Sequence, residues 1–272
     1  NYSKLTMTKS DVDNKYRADI GELSWASEDH SNVRIKAITV PAGSTLDRHG
    51  SLKITISSNQ KTDENFLQND VLGASTGNGV TVNGDHINVC FNHLMSKMHV
   101  IYEADEDVEV TSIKLRNVSM GGTYSYETMS SVSSDSPSNG TIDMYLNAGA
   151  QYGINTAEAI FHPYTSTSSN KPSIVVTANV NGTPKTFDPV YFASNGITFQ
   201  GGKRYRIKLN VSTEQVTIAS LSADNAWTKN VPGGKILWIG TSIPAGGGTA
   251  YSYPQMIANS TGLEVINNSV PG

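Results

Sequence analysis

Apolar and polar residues alternate along several short segments of this chain, which is the pattern of β-strands with one buried face. Residues 33–40 and 52–56 alternate on either side of a break at residues 41–43, and residues 108–115 are predicted to form another strand. The strictest alternation lies at residues 204–211, where the apolar positions are Tyr205, Ile207, Leu209 and Val211. Both the early and the late parts of the chain are therefore predicted to be β-sheet.

Residues 86–102 contain two strand patterns of different parity. The first has its apolar side chains at Ile87, Val89 and Phe91. The second, after an irregular stretch at residues 92–97, has them at Met98, Val100 and Tyr102. The change of parity predicts a turn or a bulge between the two strands. Further strands are predicted at residues 157–162 and 173–180, and Asn181-Gly182 after the latter is a typical hairpin turn.

The chain has 272 residues, which is too long for one ordinary sandwich and suits two modules with a remainder. We predict a mainly β fold with two consecutive β-sandwich domains, the first of which closes at Gly121-Gly122. Residues 127–140 are a polar, low-complexity loop that is expected to lie outside the core. The predicted divisions are an arm or edge segment at 1–32, the two sandwiches at 33–120 and 121–230, and a linker at 231–234.

The pattern changes after residue 234. Residues 235–239 form a continuous apolar run of the kind that is buried on both faces of a parallel sheet, and a Gly-Thr-Ser turn follows. A helix is predicted at residues 251–261, with Gly262 just past its end, and a second strand at residues 263–266. Residues 235–272 are therefore predicted to be an incomplete α/β segment of the βαβ type.

Composition narrows the possible partners. Charged residues are only 16% of the chain and the net charge is −4, with no basic cluster that could neutralise a phosphate backbone. Nucleic acid is therefore not an expected partner. No apolar stretch approaches the roughly 18 residues that a membrane span needs. Residues 1–15 are polar, so we expect that any export signal or lipid anchor has been removed.

Cysteine and histidine do not indicate a metal or cofactor site. Cys90, the single cysteine, cannot form an internal disulfide and is expected to be a small buried or half-buried side chain, with a reactive thiol as the alternative. His93 and His99, with Asp85 and His86 nearby, would lie about 20 Å apart in an extended strand. No third ligand is fixed, so both histidines are expected at a sheet edge, bonded to backbone. No cofactor and no metal are predicted.

Residues 88–102, with Phe91, His93, Ser96 and Lys97 in the order F-x-H-x-x-(S/A)-K, resemble the signature of Bacteroidales fimbrillin-like proteins. Further landmarks of that family are found at residues 70–74, 110–124 and 199–205 and at Trp227, so the resemblance spans about residues 30–228. It implies two transthyretin-like sandwiches and a pilus subunit, pilus tip or anchored adhesin, extracellular or on the outer cell surface. Donated strands would join the subunits, although residues 1–32 show no donor-strand signature.

Residues 236–246, followed by Tyr253-Pro254 and residues 265–272, resemble the start of an SGNH (GDSL-type) hydrolase. The resemblance implies that Ser242 is the nucleophile and that Gly272 gives an oxyanion N–H, and Thr241 replaces the usual aspartate. The asparagine donor and the Asp-x-x-His pair of that family come from later blocks. A serine hydroxyl needs such a base, so residues 1–272 alone are expected to lack esterase activity.

Three functions follow as hypotheses. The first is a structural or adhesive surface protein that assembles with other protein subunits, or holds surface glycans, through sheet edges. The second is a stalk or targeting module of an SGNH ester hydrolase that removes acyl groups from glycans and continues past residue 272. The third is a decoration protein of a virion or appendage. Whether the chain is an enzyme stays open at this point.

Overall fold

A computed structural model describes residues 8–9, 16–17, 36–39, 43–46, 51–76, 91–125, 128, 130–136, 140–151, 154–225, 227, 235–238 and 264–267. The chain divides into two compact units. One consists of Asn1–Ile35 and Thr76–Val89, in which β1 (Thr8–Lys9) and β2 (Tyr16–Arg17) pair antiparallel. The other consists of Lys36–Ser75 and Cys90–Gly272 and contains all further elements.

The larger unit is almost entirely β-structure, with one short helix, α1 (Asp63–Leu67), among its described residues. Its first strands are β3 (Lys36–Ile38), β4 (Thr45–Leu46), β5 (Ser51–Thr55), β6 (Leu72–Ser75), β7 (Asn92–His93), β8 (Ser96–Ala104), β9 (Val108–Arg116), β10 (Gly121–Ser125), β11 (Ser130–Ser134) and β12 (Thr141–Asp143). The others are β13 (Tyr145–Gln151), β14 (Ile154–Phe161), β15 (Tyr164–Thr165), β16 (Ser173–Val180), β17 (Thr183–Thr186), β18 (Val190–Tyr191), β19 (Thr198–Phe199), β20 (Arg204–Val211), β21 (Val216–Asp224), β22 (Lys235–Trp238) and β23 (Glu264–Asn267).

The first large sheet has five strands in the order β13-β14-β8-β20-β21. Its strands are antiparallel except that β20 runs parallel to β8. The predicted alternation is confirmed in β20, where the four apolar side chains from Tyr205 to Val211 are buried. It is also confirmed in β8, where Met98, Val100 and Tyr102 are buried.

The second large sheet has the order β12-β9-β16-β17, and β18 also pairs with β16. The register of β9 against β16 shifts once, and Thr111 has no paired residue in β16. This bulge explains why Val110 and Ile113 both face the core although they lie three residues apart. The hairpin predicted at Asn181-Gly182 joins β16 to β17, with φ values of 49° and 78°, as a type I′ turn requires.

The buried faces of both large sheets contribute to one hydrophobic cluster, as expected of a β-sandwich. Strands from both sides of residue 120 share each sheet: β8 pairs with β14 and β20, and β9 pairs with β12 and β16. The division predicted near residue 120 therefore does not separate one sheet from another. Alternation shows which side of a strand is buried but not which strand lies beside it.

Gly121-Gly122 do not end a strand, in contrast to the prediction. They begin β10, which pairs with β5 on one side and β11 on the other in the sheet β11-β10-β5-β4. A Cβ on Gly122 would clash with the carbonyl oxygen of Ser133, so only glycine fits at this close approach. The loop predicted at residues 127–140 contains β11, whose five residues are all exposed and thus outside the core.

The two strands predicted near the C-terminus are present as β22 and β23, and they pair in parallel from Lys235 with Glu264 to Trp238 with Asn267. The helix predicted at residues 251–261 lies outside the described residues. A smaller sheet, β3-β6-β7, and the pair β15-β19 complete the described architecture. No helix in the described ranges is long and apolar enough to cross a membrane.

Candidate functional site

The edge strand β21 is the feature of the sandwich best suited to binding another chain. β21 lies at the end of its five-stranded sheet, and in the described ranges no strand pairs with its outer side. An edge of this kind presents N–H and C=O groups that an added strand can satisfy. The strand has nine residues, longer than most edge strands of the fold.

The composition of β21 leaves this edge without the usual protection. Residues 216–223 carry no charge and no proline, and Asp224 is the first charged residue. The register against β20 shifts once, at Ala219, so residues 220–224 form a regular stretch. Natural edge strands are usually blunted by lysine, proline, bulges or short length. The bulge at Ala219 is one such feature of β21, but the stretch from Ser220 to Asp224 beyond it contains no lysine, proline or bulge.

The other edges of the two large sheets are blunted or short. The register of β13 shifts between Asn147 and Gln151, β17 contains Pro184 and Lys185, and β12 has only three residues. The edge strand β11 also carries a register shift, opposite Thr123 and Tyr124. β21 also carries one register shift, at Ala219, but beyond it five consecutive residues stay in regular register without lysine or proline, and this stretch favours strand addition.

Apolar side chains of β21 remain exposed on the core side of the sheet. Leu221 lies opposite the buried Ile207, and Ala223 lies opposite the buried Tyr205. Directly paired residues point to the same side of a sheet, so Leu221 and Ala223 face the core side. Leu221 is nevertheless 37% exposed, and it is one of four large exposed hydrophobic residues in the described ranges. The core side of the sheet is therefore incompletely covered at this edge.

The opposite face of the same sheet carries a ladder of ion pairs. Glu158 on β14 accepts hydrogen bonds from Lys97 and His99 on β8, both at 2.8 Å. Arg204 on β20 binds Asp224 on β21 with two bonds, the shorter of 2.9 Å. The bonds of Glu158 join β14 to β8. The bonds between Arg204 and Asp224 join β20 to β21, and they help to hold the edge strand in its sheet.

Glu158 is held in its charged form. Burial by itself would raise the pKa of this carboxyl group, but the hydrogen bond from His99 and the charge of Lys97 outweigh burial. Together they lower the pKa from 4.5 to about 2. A carboxyl group whose pKa is lower in the folded than in the unfolded state stabilises the fold above its unfolded pKa. This stability is lost as pH falls from about 4.5 through about 2.

We expect Glu158→Gln to lower the free energy of unfolding at neutral pH by about 1–3 kcal/mol, because Lys97 and His99 would then bond a neutral amide in place of a largely buried carboxylate. The variant should also lose less stability than the wild type between pH 4.5 and about 2. Urea unfolding at several pH values measures both effects. Glu103→Gln is the control, since its carboxylate bonds Lys208 at 2.7 Å but is 67% exposed. Equal pH profiles for Glu158→Gln and wild type would contradict the assignment.

His93 and His99 bond carboxylates rather than backbone, which corrects the prediction from sequence. Nδ1 of His93 lies 2.8 Å from Oδ1 of Asp70, and its ring stacks on Trp227 with centroids 4.4 Å apart. Nδ1 of His99 lies 2.8 Å from Oε1 of Glu158. His93 is in the edge strand β7, as predicted, but His99 is in β8 at the centre of its sheet. A residue's place in a sheet follows from distant strands, which alternation does not reveal.

No group of three or more potential metal ligands occurs among the described residues. Ser242 and Gly272, the two residues proposed for hydrolase chemistry, lie outside the described residues, as do Asp85, His86 and Cys90. Sequence reasoning did not identify β21 as a binding edge. The sequence shows the uncharged run from Val216 to Ala223, which is unusual for an edge strand. It does not show that this strand lies at the end of a sheet.

Comparisons with known proteins agree with this architecture. The structure of a candidate cell adhesion protein from Bacteroides uniformis has a TM-score of 0.56 and 18% identity, covering 78% of this chain and 80% of its own. A candidate cell adhesion protein from Bacteroides ovatus has a TM-score of 0.56 and 16% identity, with coverages of 77% and 75%. At such identities the likeness shows the fold alone.

No curated protein matches the chain significantly. The sequence profile described as fimbrillin-like, however, matches residues 1–225, which is most of the 272 residues. The match covers all strands of the two large sheets and includes the edge strand β21. The chain therefore belongs to the fimbrillin-like family.

Proposed function

We propose that this chain is a structural or adhesive protein of the cell surface that assembles with other protein subunits through sheet edges. Membership of the fimbrillin-like family supports an appendage on the outer cell surface. The solved relatives from Bacteroides uniformis and Bacteroides ovatus, described as candidate cell adhesion proteins, support the same role.

The observation that carries the proposal is the exposed edge of β21. A strand from another chain laid along this edge would satisfy its outward N–H and C=O groups and would extend the five-stranded sheet. Side chains of the added strand would also cover Leu221 on the core side, which is 37% exposed in the structure. Backbone hydrogen bonds would then supply affinity, and side-chain contacts with Leu221 would supply specificity.

Leu221→Lys is expected to reduce incorporation into surface assemblies by about tenfold, or ~1.4 kcal/mol of association free energy. A charge at this position opposes the approach of an added strand, as edge lysines do in natural proteins. The measurement is the amount of the exported chain in the sheared surface fraction of Bacteroides cells that express it. Leu67→Lys is the matched control, because Leu67 is 61% exposed and lies on α1.

The two variants separate the possible results. Loss in Leu221→Lys with retention in Leu67→Lys supports assembly through β21. Equal incorporation of both variants would exclude this edge as the assembly site. Absence of the wild-type chain from the sheared fraction would contradict the surface function itself.

We also infer that residues 235–272 begin an α/β segment, with Ser242 as nucleophile and Gly272 as oxyanion donor if later blocks complete it. The parallel pairing of β22 with β23 supports this inference, because parallel neighbours require a crossover connection such as a helix. The expectation for residues 1–272 alone remains no hydrolysis of p-nitrophenyl acetate. Hydrolysis that disappears in Ser242→Ala would refute that expectation.

A further inference from the structure

We infer that β21 pairs antiparallel with β21 of a second copy of this chain, about a twofold axis that passes through Ser222. This inference rests on the proposed assembly through sheet edges and names the partner at that site. It follows from the pattern of side chains along the regular stretch of residues 220–224, which is complementary to itself.

The register of β21 against β20 assigns each side chain to a face. Ser222 pairs with Arg206, whose side chain is 44% exposed on the outer face, and Asp224 forms its ion pair with Arg204 on that face. Leu221 and Ala223 alternate with these residues and face the core side. The stretch thus has small polar residues on one face and small or medium apolar residues on the other.

A twofold axis at Ser222 brings matching residues together. Ser222 then lies opposite Ser222 of the second copy, and Leu221 lies opposite Ala223 of the second copy on the core side. Ser220 lies opposite Asp224 of the second copy, where its hydroxyl group can donate a hydrogen bond to the carboxylate. Like charges do not meet in this arrangement, because Asp224 is the only charged residue of β21.

Neighbouring registers fit less well because of the bulge at Ala219. An axis at Ser220 would place Ser222, on the outer face, opposite Ile218, on the core face. An axis at Leu221 would place Asp224 opposite Ile218 with the same mismatch. The axis at Ser222 keeps all five residue pairs within the regular stretch. The result is a continuous sheet of ten strands made from two sheets of five.

Disulfide trapping in the full chain of residues 1–272 tests this register. In a Cys90→Ser background, Ser222→Cys places two thiols directly opposite each other, with Cβ atoms about 4.5–5.5 Å apart. Ser220→Cys is the matched control: the two sulfurs would be offset by four residues, or about 13 Å along the strands. That separation exceeds the distance of at most ~7 Å between Cα atoms that a disulfide allows. Both sites are exposed serines of the same strand.

Under mild oxidation we expect Ser222→Cys to form a covalent dimer about tenfold faster than Ser220→Cys, given this difference in distance. Sedimentation of the wild-type chain should show a dimer whose fraction rises with concentration. Equal rates for the two variants, or a wild-type chain that stays monomeric at all concentrations, would overturn the inference. If the chain assembles normally on the surface but the Ser222→Cys crosslink does not form, the twofold pairing is wrong and the proposed function stands. If surface assembly and the crosslink are both absent, the twofold pairing and the proposed function are both refuted.

Discussion

Phe199→Ala should lower the free energy of unfolding by about 3–5 kcal/mol, the usual cost of truncating a buried aromatic side chain. Phe199 is 1% exposed and lies at the centre of a cluster of four aromatic rings, in contact with the other three. Its centroid is 5.0 Å from Phe161, 5.1 Å from Tyr164 and 4.7 Å from Tyr205. Aromatic pairs of this geometry add to the energy of burial, so the loss should exceed that of an aliphatic truncation.

Denaturant unfolding of the purified chain measures this loss, and Tyr191→Ala is the control because Tyr191 is 59% exposed. The control should change stability by less than about 0.5 kcal/mol, as surface substitutions usually do. Equal effects of the two substitutions would show that the four-ring cluster does not form. The hydroxyl group of Tyr205 also accepts a hydrogen bond from the Gln200 N–H and donates one to Thr198, so it ties the 199–205 turn to the cluster.

Gln60→Leu should cost about 2–4 kcal/mol, because the substitution leaves two buried backbone groups without partners. The Gln60 side chain is fully buried, and its amide group bonds the backbone N–H and C=O of Ile160 as a neighbouring strand would. Its Oε1 accepts from the Ile160 N–H at 2.8 Å, and its Nε2 donates to the Ile160 carbonyl oxygen at 2.7 Å. Leucine has a similar volume, so the loss reports the hydrogen bonds more than the packing.

Gln68→Leu is the matched control for this prediction. The Nε2 of Gln68 bonds the exposed Glu64 carboxylate, at 3.2 Å, and the expected loss is below about 0.5 kcal/mol. Chemical denaturation of both variants gives the comparison. Unchanged stability in Gln60→Leu would mean that water replaces the side chain at Ile160. Gln60→Glu adds a further check, because a carboxylate cannot donate to the Ile160 carbonyl oxygen.

Alternation located several strands well because burial of one face is a local property. Residues 173–180 form β16 as predicted, and residues 204–211 form β20 with every predicted apolar side chain buried. Within residues 86–102, Met98, Val100 and Tyr102 share the buried face of β8 as predicted, whereas the strand predicted around Ile87 and Val89 lies outside the described residues. In these segments each residue's own character decides which side it faces.

Pairing between distant strands could not be predicted in the same way. The parallel neighbours β8 and β20 lie about a hundred residues apart in the chain, and the sequence of neither strand indicates which strand it pairs with. Gly121-Gly122 illustrate the same limit, because glycine is typical both of turns and of close backbone approach. Here the pairing of β10 with β5 and β11 requires glycine for close backbone approach. The histidine partners Asp70 and Glu158 also come from distant segments.

By itself the sequence determined a mainly β protein with its strands' buried faces, a change of pattern after residue 234, and a resemblance to fimbrillin-like proteins. The tertiary structure alone decided that one core joins both halves, that Glu158 binds Lys97 and His99, and that β21 lies at an open edge. The physical reason is the distance along the chain over which each property is set. Alternation depends on residues two positions apart, whereas an edge position depends on whether a strand from elsewhere in the chain pairs with that side.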